Sequence, residues 1–137
     1  MAELRWKQRF QNYERAFLLL RNALENNPEG LSDLEREGII QRFEYTFELA
    51  WKTLSDYQTY NGVKLDQITP RYVIKAAFAA KIIQDGQIWI DMLEHRNLML
   101  HTYNQESFEK VVENISELYL DAFDQVFMLL KKMSLEA

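Results

Sequence analysis

The two histidines of the chain, His95 and His101, lie close together in the sequence, beside Arg96 and Asn97. A neutral imidazole can accept a proton from a ribose 2′-hydroxyl, and a permanently charged guanidinium can stabilise the negative charge that develops on a phosphate. Asn97 could orient either the imidazole or the phosphate. These residue types suit cleavage of a phosphodiester bond without a metal ion. A structural ion pair or a helix cap is the commoner use of such residues, and His95 is most simply a polar neighbour or an interface residue.

The spacing of these side chains on a helix determines which of them can act together. At about 100° per residue, Asn97 and His101 share one face, whereas Arg96 and Tyr103 share a neighbouring face. Arg96 and His101 differ by about 140° around the axis, so they converge only if Arg96 reaches around the helix or if a second subunit completes the pocket. A symmetric dimer would satisfy this geometry.

Composition limits the classes of protein to which the chain can belong. Its 137 residues fit one domain, 1–137. The absence of cysteine excludes a disulfide framework, a cysteine-ligated zinc site and a cysteine nucleophile. No apolar run approaches the roughly 18 residues of a membrane span, and the start has no signal-peptide core, so we expect a soluble cytoplasmic protein without a membrane partner. The net charge of −5 argues against broad binding of nucleic acid, so any RNA contact should be local.

Apolar residues recur at helical spacing along the chain, and no segment alternates with the period of two that is typical of strands. Ser32 and Glu35 form a capping-box pattern, and Asn61-Gly62 offers a left-handed C-cap. The apolar stripe of the last helix is expected to include Leu118 and Tyr119. We predict an all-α, antiparallel up-and-down bundle of about five helices with a four-helix core. The helices are expected from Trp6 to an end at 26–30, from the Ser32 cap to Tyr60, from Pro70 to about Gln84, from Gln87 into the His101 region, and from Asn104 to Met133.

The motif around His101 resembles the Arg-x4-His-x-Tyr signature of the HEPN superfamily, here Arg96, Asn97, His101, Thr102 and Tyr103. Residues in the neighbouring predicted helices are similar to those of one branch, the nucleotidyltransferase substrate-binding proteins. They are Phe43-Glu44, Phe47-Glu48, Trp51-Lys52, Thr69-Pro70-Arg71, Trp89 and Met92. The resemblance covers roughly residues 39–105.

This resemblance implies a bundle that dimerises and brings the arginine and histidine motifs of two subunits into a shared cleft. It implies a metal-independent ribonuclease that needs no cofactor, with Arg96, Asn97 and His101 as the catalytic residues. In toxin–antitoxin operons, the partner of such a protein is a minimal nucleotidyltransferase. That partner would transfer AMP to Tyr103, and the bulky anionic adduct would block the approach of a phosphate.

Two other functions remain open on the residues. The protein could be a non-catalytic subunit that binds a nucleotide or another phosphorylated ligand for the nucleotidyltransferase, or a dimerisation bundle whose polar motif specifies pairing. Glu44 and Arg71 are expected near the cleft. Glu44 and Glu48 could suggest paired carboxylates or a metal site, but an ion pair between Glu48 and Lys52 on a solvated face is the better explanation of this spacing.

The motif departs from related sequences in one respect. Leu98, Met99 and Leu100 stand before His101, where relatives often carry a small or polar residue immediately before the histidine. An apolar neighbourhood would either lower the histidine pKa by desolvation or indicate a site that binds rather than cuts.

Overall fold

A computed structural model of the chain describes residues 1–25, 30–100 and 105–136, and these residues form an all-α helical bundle without strands. The predicted fold class is therefore confirmed. None of the helices within these three ranges is both long and apolar enough to cross a membrane. The helices are α1 (Ala2–Leu24), α2 (Asp33–Tyr60), α3 (Pro70–Ala79), α4 (Gly86–Met99), α5 (Gln105–Asn114) and α6 (Leu120–Glu136), with a π-helical turn (Ile115–Tyr119) between α5 and α6.

Helices α1 and α2 pack antiparallel along their lengths. The start of α1 meets the end of α2, where Arg9 Nε lies 2.9 Å from an Asp56 carboxylate oxygen. The end of α1 meets the first half of α2, where Arg42 donates a hydrogen bond to the carbonyl of Leu19. The predicted apolar stripe of α1 is buried between these two contacts, because one face of an amphipathic helix must be covered. Its members are Trp6, Phe10, Tyr13, Phe17, Leu20 and Leu24.

An aromatic cluster joins α1, α2, α4 and α6. The Phe123 ring of α6 packs edge-on against Trp89 of α4, with ring centroids 5.6 Å apart. It also contacts Phe43 of α2 and Tyr13 of α1. The Tyr13 hydroxyl donates to the Phe123 carbonyl at 2.7 Å, so this buried polar group is satisfied. Truncating a ring at such a position costs about 3–5 kcal/mol, so Trp89 contributes strongly to the packing of α4.

The ends of α2 follow the predicted signals. The Ser32 hydroxyl accepts from the Glu35 amide, and the Glu35 carboxylate accepts from the Ser32 amide. This capping box is confirmed. At the other end Gly62 has φ +85°, a conformation that favours glycine, and the Val63 amide bonds back to the Gln58 carbonyl.

Helix α3 is shorter than predicted, because it ends at Ala79 rather than near Gln84. Lys81 takes the left-handed conformation with φ +61°. The amides of Lys81 and Ile82 then bond back to carbonyls of α3 at 3.0 and 2.9 Å, which closes the helix as glycine commonly does. This turn allows Ile83 to enter the core, where its side chain is 2% exposed. The burial of Ile83 outweighs the cost of a lysine in the left-handed conformation. No glycine stands at this position that would have predicted the end of α3 from the sequence.

The last predicted helix is interrupted by the π-helical turn. A π turn contains an additional residue, so it shifts the helical face that follows. Leu118 was predicted on the buried stripe and is 47% exposed, whereas Tyr119 is 2% exposed. The prediction for Leu118 was wrong for this reason. Beyond the turn, the stripe of α6 is again buried through Ala122, Phe123 and Val126.

Replacing Ser32 with alanine tests the capping box. The free energy of unfolding should fall by about 1 kcal/mol, because the Glu35 amide loses its acceptor. Ser134→Ala is the matched control, since its hydroxyl only donates to the Lys131 carbonyl near the end of α6. Chemical denaturation should show a lower midpoint for Ser32→Ala and an unchanged one for Ser134→Ala. Equal midpoints for both variants would contradict the role of the cap.

Candidate functional site

The guanidinium of Arg96 is held against α2. Its Nη1 donates to Glu48 Oε2 at 2.8 Å, and its central carbon lies 5.6 Å from the centre of the Phe47 ring. The side chain is 19% exposed. Its Nε is buried and has no hydrogen-bond partner within the described residues. Arg96 is therefore fixed by one ion pair and one ring face, rather than free in solvent.

Glu48 is shared between two cations. Its second carboxylate oxygen lies 3.3 Å from Lys52 Nζ, so the predicted pair of Glu48 and Lys52 is confirmed. Burial alone would raise the pKa of Glu48, but Trp51, Lys52 and Arg96 together lower it. Glu48 is thus ionised at neutral pH and balances the charge of Arg96. The ion-pair use of Arg96, which the sequence left open, is realised in this structure.

Glu44 stands one helical turn before Glu48 on the same face of α2. Burial raises the pKa of Glu44, while the charge of Arg96 opposes this rise. Because the charge of Arg96 acts on Glu44, this predicted cleft residue belongs to the same polar region as Arg96 and Glu48. Glu44 and Glu48 carry two negative charges here, and Arg96 and Lys52 carry two positive charges, so the region has no positive excess to attract a large anion.

His95 contacts a residue that the sequence did not suggest. Its Nδ1 lies 2.5 Å from the Tyr119 hydroxyl, at the end of the π-helical turn. Burial lowers the pKa of His95, Lys110 adds to this effect, and Asp91 and Glu94 oppose it. Burial also raises the pKa of Tyr119, with Asp91 and Glu94 acting in the same direction. The phenol therefore keeps its proton and can donate a hydrogen bond to a neutral imidazole.

The other predicted site residues are distributed differently. Asn97 is exposed on α4, and Arg71 is exposed in the first turn of α3, where it takes no part in the contacts around Arg96. His101 and Tyr103 lie outside the described residues. Helix α4 ends at Met99, before either of them. The helical faces predicted for them therefore stay a prediction.

The apolar residues at the end of α4 do not all enter the core. Met99 is 5% exposed, whereas Leu98 and Leu100 are 46% and 53% exposed. The departure noted in the sequence therefore creates two exposed leucines beside the motif. Apolar side chains exposed together at one helix end form a surface that a partner can cover.

The sequence also matches a family of known proteins. The family model described as "Nucleotidyltransferase substrate binding protein like" matches residues 8–132. The chain belongs to this family. The HEPN resemblance predicted from the Arg96 motif is thereby confirmed at the level of the family.

Two known proteins are similar to this chain. The chain is 26% identical over 105 residues to a protein of Haemophilus influenzae named "Probable ribonuclease HepT", and the match covers 74% of this chain and 72% of the relative. It also resembles a crystal structure of a protein from Thermus thermophilus, with a TM-score of 0.75 and 31% identity. That match covers 86% of this chain and 98% of the other.

The ion pair between Arg96 and Glu48 can be tested by its effect on stability. Glu48→Ala should lower the free energy of unfolding by about 1–3 kcal/mol, because a mostly buried guanidinium loses its counter-ion. Glu48→Gln should cost less, since an amide oxygen can still accept from Arg96. Glu3→Gln removes the charge from an exposed ion pair with Lys7 and should change stability by less than about 0.5 kcal/mol.

The pH dependence of this effect has a definite sign. The pKa of Glu48 is lowered from 4.5, so its charge stabilises the fold fully above that value and less as pH falls through the folded pKa. The difference in stability between wild type and Glu48→Gln should therefore shrink in acid. Denaturation curves at several pH values measure it. A difference that grew as the pH fell would contradict the assigned charge.

Proposed function

We propose that this protein is a metal-independent ribonuclease that is controlled by a minimal nucleotidyltransferase. The observation that carries the proposal is the fixed guanidinium of Arg96, one residue before the exposed Asn97, at the end of α4. The ribose 2′-hydroxyl attacks the phosphorus and the bond to the 5′-oxygen breaks, while His101 takes the proton of the 2′-hydroxyl and a proton is returned to the leaving 5′-oxygen. Arg96 stabilises the negative charge on the phosphate, and Asn97 orients the substrate. The name of the Haemophilus influenzae relative, a probable ribonuclease, supports this chemistry.

The active form is proposed to be a homodimer. Leu98 and Leu100 are exposed on either side of the buried Met99, and a second copy of the chain would cover them. In that arrangement, the two motifs face one another across a cleft between the subunits. The net charge of −5 and the carboxylates of Glu44 and Glu48 limit RNA binding to a short stretch of phosphates in this cleft.

The nucleotidyltransferase is proposed to silence the enzyme by transferring the AMP group of ATP to the phenol oxygen of Tyr103, with release of pyrophosphate, as in a toxin–antitoxin pair. The family description names a nucleotidyltransferase, which supports a partner of this kind. An AMP group adds bulk and negative charge two residues from His101. Both effects oppose the approach of a phosphate to Arg96. We propose that this protein and its nucleotidyltransferase partner are cytoplasmic.

Cleavage of RNA is the direct test. Purified protein that carries no AMP should cleave single-stranded RNA in the presence of a chelator, as measured by gel electrophoresis of labelled RNA. His101→Ala and Arg96→Ala should lower the rate at least about 100-fold, because each removes a group that acts on the reacting phosphate. Arg96→Lys should recover only part of the loss, since lysine lacks the planar fork.

Arg15→Ala is the matched control, because Arg15 is exposed on α1, where its nearest polar partner is Asn12. It should leave the rate unchanged. Arg71→Ala asks separately whether Arg71 belongs to the cleft, in which case RNA binding should weaken. If the wild-type protein and His101→Ala both leave RNA intact, the result would contradict the proposed ribonuclease activity.

A non-catalytic nucleotide-binding subunit is the second candidate. The ion pair of Arg96 with Glu48 favours this second function. A guanidinium whose charge is already neutralised by a carboxylate is better suited to binding one phosphate than to binding a polyanion. Calorimetry with AMP distinguishes the two functions in the same set of variants. Loss of AMP binding in Arg96→Ala, together with no cleavage by any variant, would favour the binding subunit.

Control by AMP predicts one modified residue. Incubation with the nucleotidyltransferase and ATP should add AMP to wild type and to Tyr45→Phe, but not to Tyr103→Phe, as measured by mass spectrometry. Tyr45 is a suitable control because its side chain is 63% exposed. The modified wild type should cleave RNA more slowly, and unmodified Tyr103→Phe should stay active beside the transferase. An adduct on Tyr103→Phe would contradict this assignment.

A further inference from the structure

The stretch of α4 between Leu93 and Met99 has no buried apolar side chain. Trp89, Met92 and Leu93 are buried before this stretch, and Met99, the last residue of α4, is buried after it. Residues 94–98 between these positions are exposed or half-buried. The position of Arg96 within this stretch therefore depends on polar contacts to other helices. Among the residues that the structure describes, two such contacts are present, the ion pair of Arg96 with Glu48 and the hydrogen bond of His95 with Tyr119.

Tyr119 is a rigid partner for His95. Its ring is 2% exposed and lies nearly parallel to the Phe43 ring, with an interplanar angle of 19° and centroids 5.6 Å apart. It occupies the last position of the π-helical turn, while its neighbour Leu118 faces outward. π turns inside α-helices are frequent at functional sites. Here the turn brings the phenol hydroxyl to the Nδ1 atom of His95.

The phenol can be the donor in the hydrogen bond between Tyr119 and His95. Burial raises the pKa of Tyr119, so the phenol keeps its proton. With Nδ1 of His95 as the acceptor, the proton of the neutral ring lies on Nε2. The other charged groups that influence the pair are Asp91, Glu94 and Lys110.

We propose that Tyr119 and His95 are positioning residues, and that their hydrogen bond fixes the last turns of α4 so that Arg96 meets the phosphate in the correct place. The role of Arg96 in this statement rests on the proposed ribonuclease function. Arg96 follows His95 directly on the helix, so a rotation of this turn moves the guanidinium as well. The ion pair with Glu48 fixes the tip of the Arg96 side chain, while the hydrogen bond fixes its backbone.

Tyr119→Phe is the first test, because it removes the hydroxyl and keeps the ring on Phe43. The kcat of RNA cleavage should fall about 10- to 100-fold with little change in KM, since a small misplacement of a catalytic group has effects of this size. Tyr13→Phe is the matched control, because its hydroxyl is also buried and donates to the Phe123 carbonyl. It should leave kcat unchanged. An equal fall in kcat for both variants would overturn the proposal.

Substitutions of His95 separate positioning from contact with the substrate. The side-chain oxygen of asparagine can stand near the place of Nδ1, whereas the amide of glutamine reaches the place of Nε2. His95→Asn should therefore keep most of the wild-type kcat, and His95→Gln should lose about as much as Tyr119→Phe. The opposite order would assign His95 to the substrate and overturn the positioning role.

Nuclear magnetic resonance provides measurements that are independent of cleavage. The two histidines can be assigned with His101→Ala, and the nitrogen shifts of His95 should show the proton on Nε2 at neutral pH. Tyr119→Phe should change these shifts and also move the Nε–H signal of Arg96, whereas Tyr13→Phe should move neither. A proton on Nδ1, or an unmoved Arg96 signal, would overturn the pair. If the expected shifts are found in a protein that cleaves no RNA, the proposed ribonuclease function is overturned, whereas the hydrogen bond between Tyr119 and His95 is supported.

Discussion

Arg96 brings a permanent charge into a largely buried position, and the arrangement around it follows from the need to balance that charge. A guanidinium with 19% exposure is stable there only beside an anion, and Glu48 supplies one at 2.8 Å. Phe47 covers the flat face of the same group. α2 and α4 are thus joined by a polar contact within an otherwise aromatic interface. The charge of Glu48 also raises the electrostatic cost for any second anion at this place.

The fold was largely predictable, because its causes are local in sequence. The capping box of Ser32 and the left-handed Gly62 mark the ends of α2 by residue types alone. The end of α3 was not predictable in this way, since a lysine takes the left-handed position and the reason is the distant burial of Ile83. The π-helical turn was not predicted either, because a continuous pattern of apolar residues does not show that one turn of the helix contains an additional residue.

The candidate site was predictable only in its residue types. Arg96 partners Glu48, 48 residues away, and His95 partners Tyr119, 24 residues away. Helical spacing relates side chains on one helix and cannot reveal such pairs between helices. The spacing of four residues between Glu44, Glu48 and Lys52 predicted an ion pair of Glu48 with Lys52. It did not indicate that Arg96 would bind the same carboxylate. Membership of the family came from the whole pattern rather than from any one of these contacts.

The π-helical turn gives the chain a simple route to change during evolution. Loss of a single residue within Ile115–Tyr119 would convert the turn into an ordinary α-helix and rotate the helical face of α5 relative to that of α6 by about 100°. The helices would remain, but a different side chain would then face His95. A one-codon deletion could therefore alter the surroundings of Arg96 without any substitution in α4. Relatives of different length in this segment would be natural examples of that change.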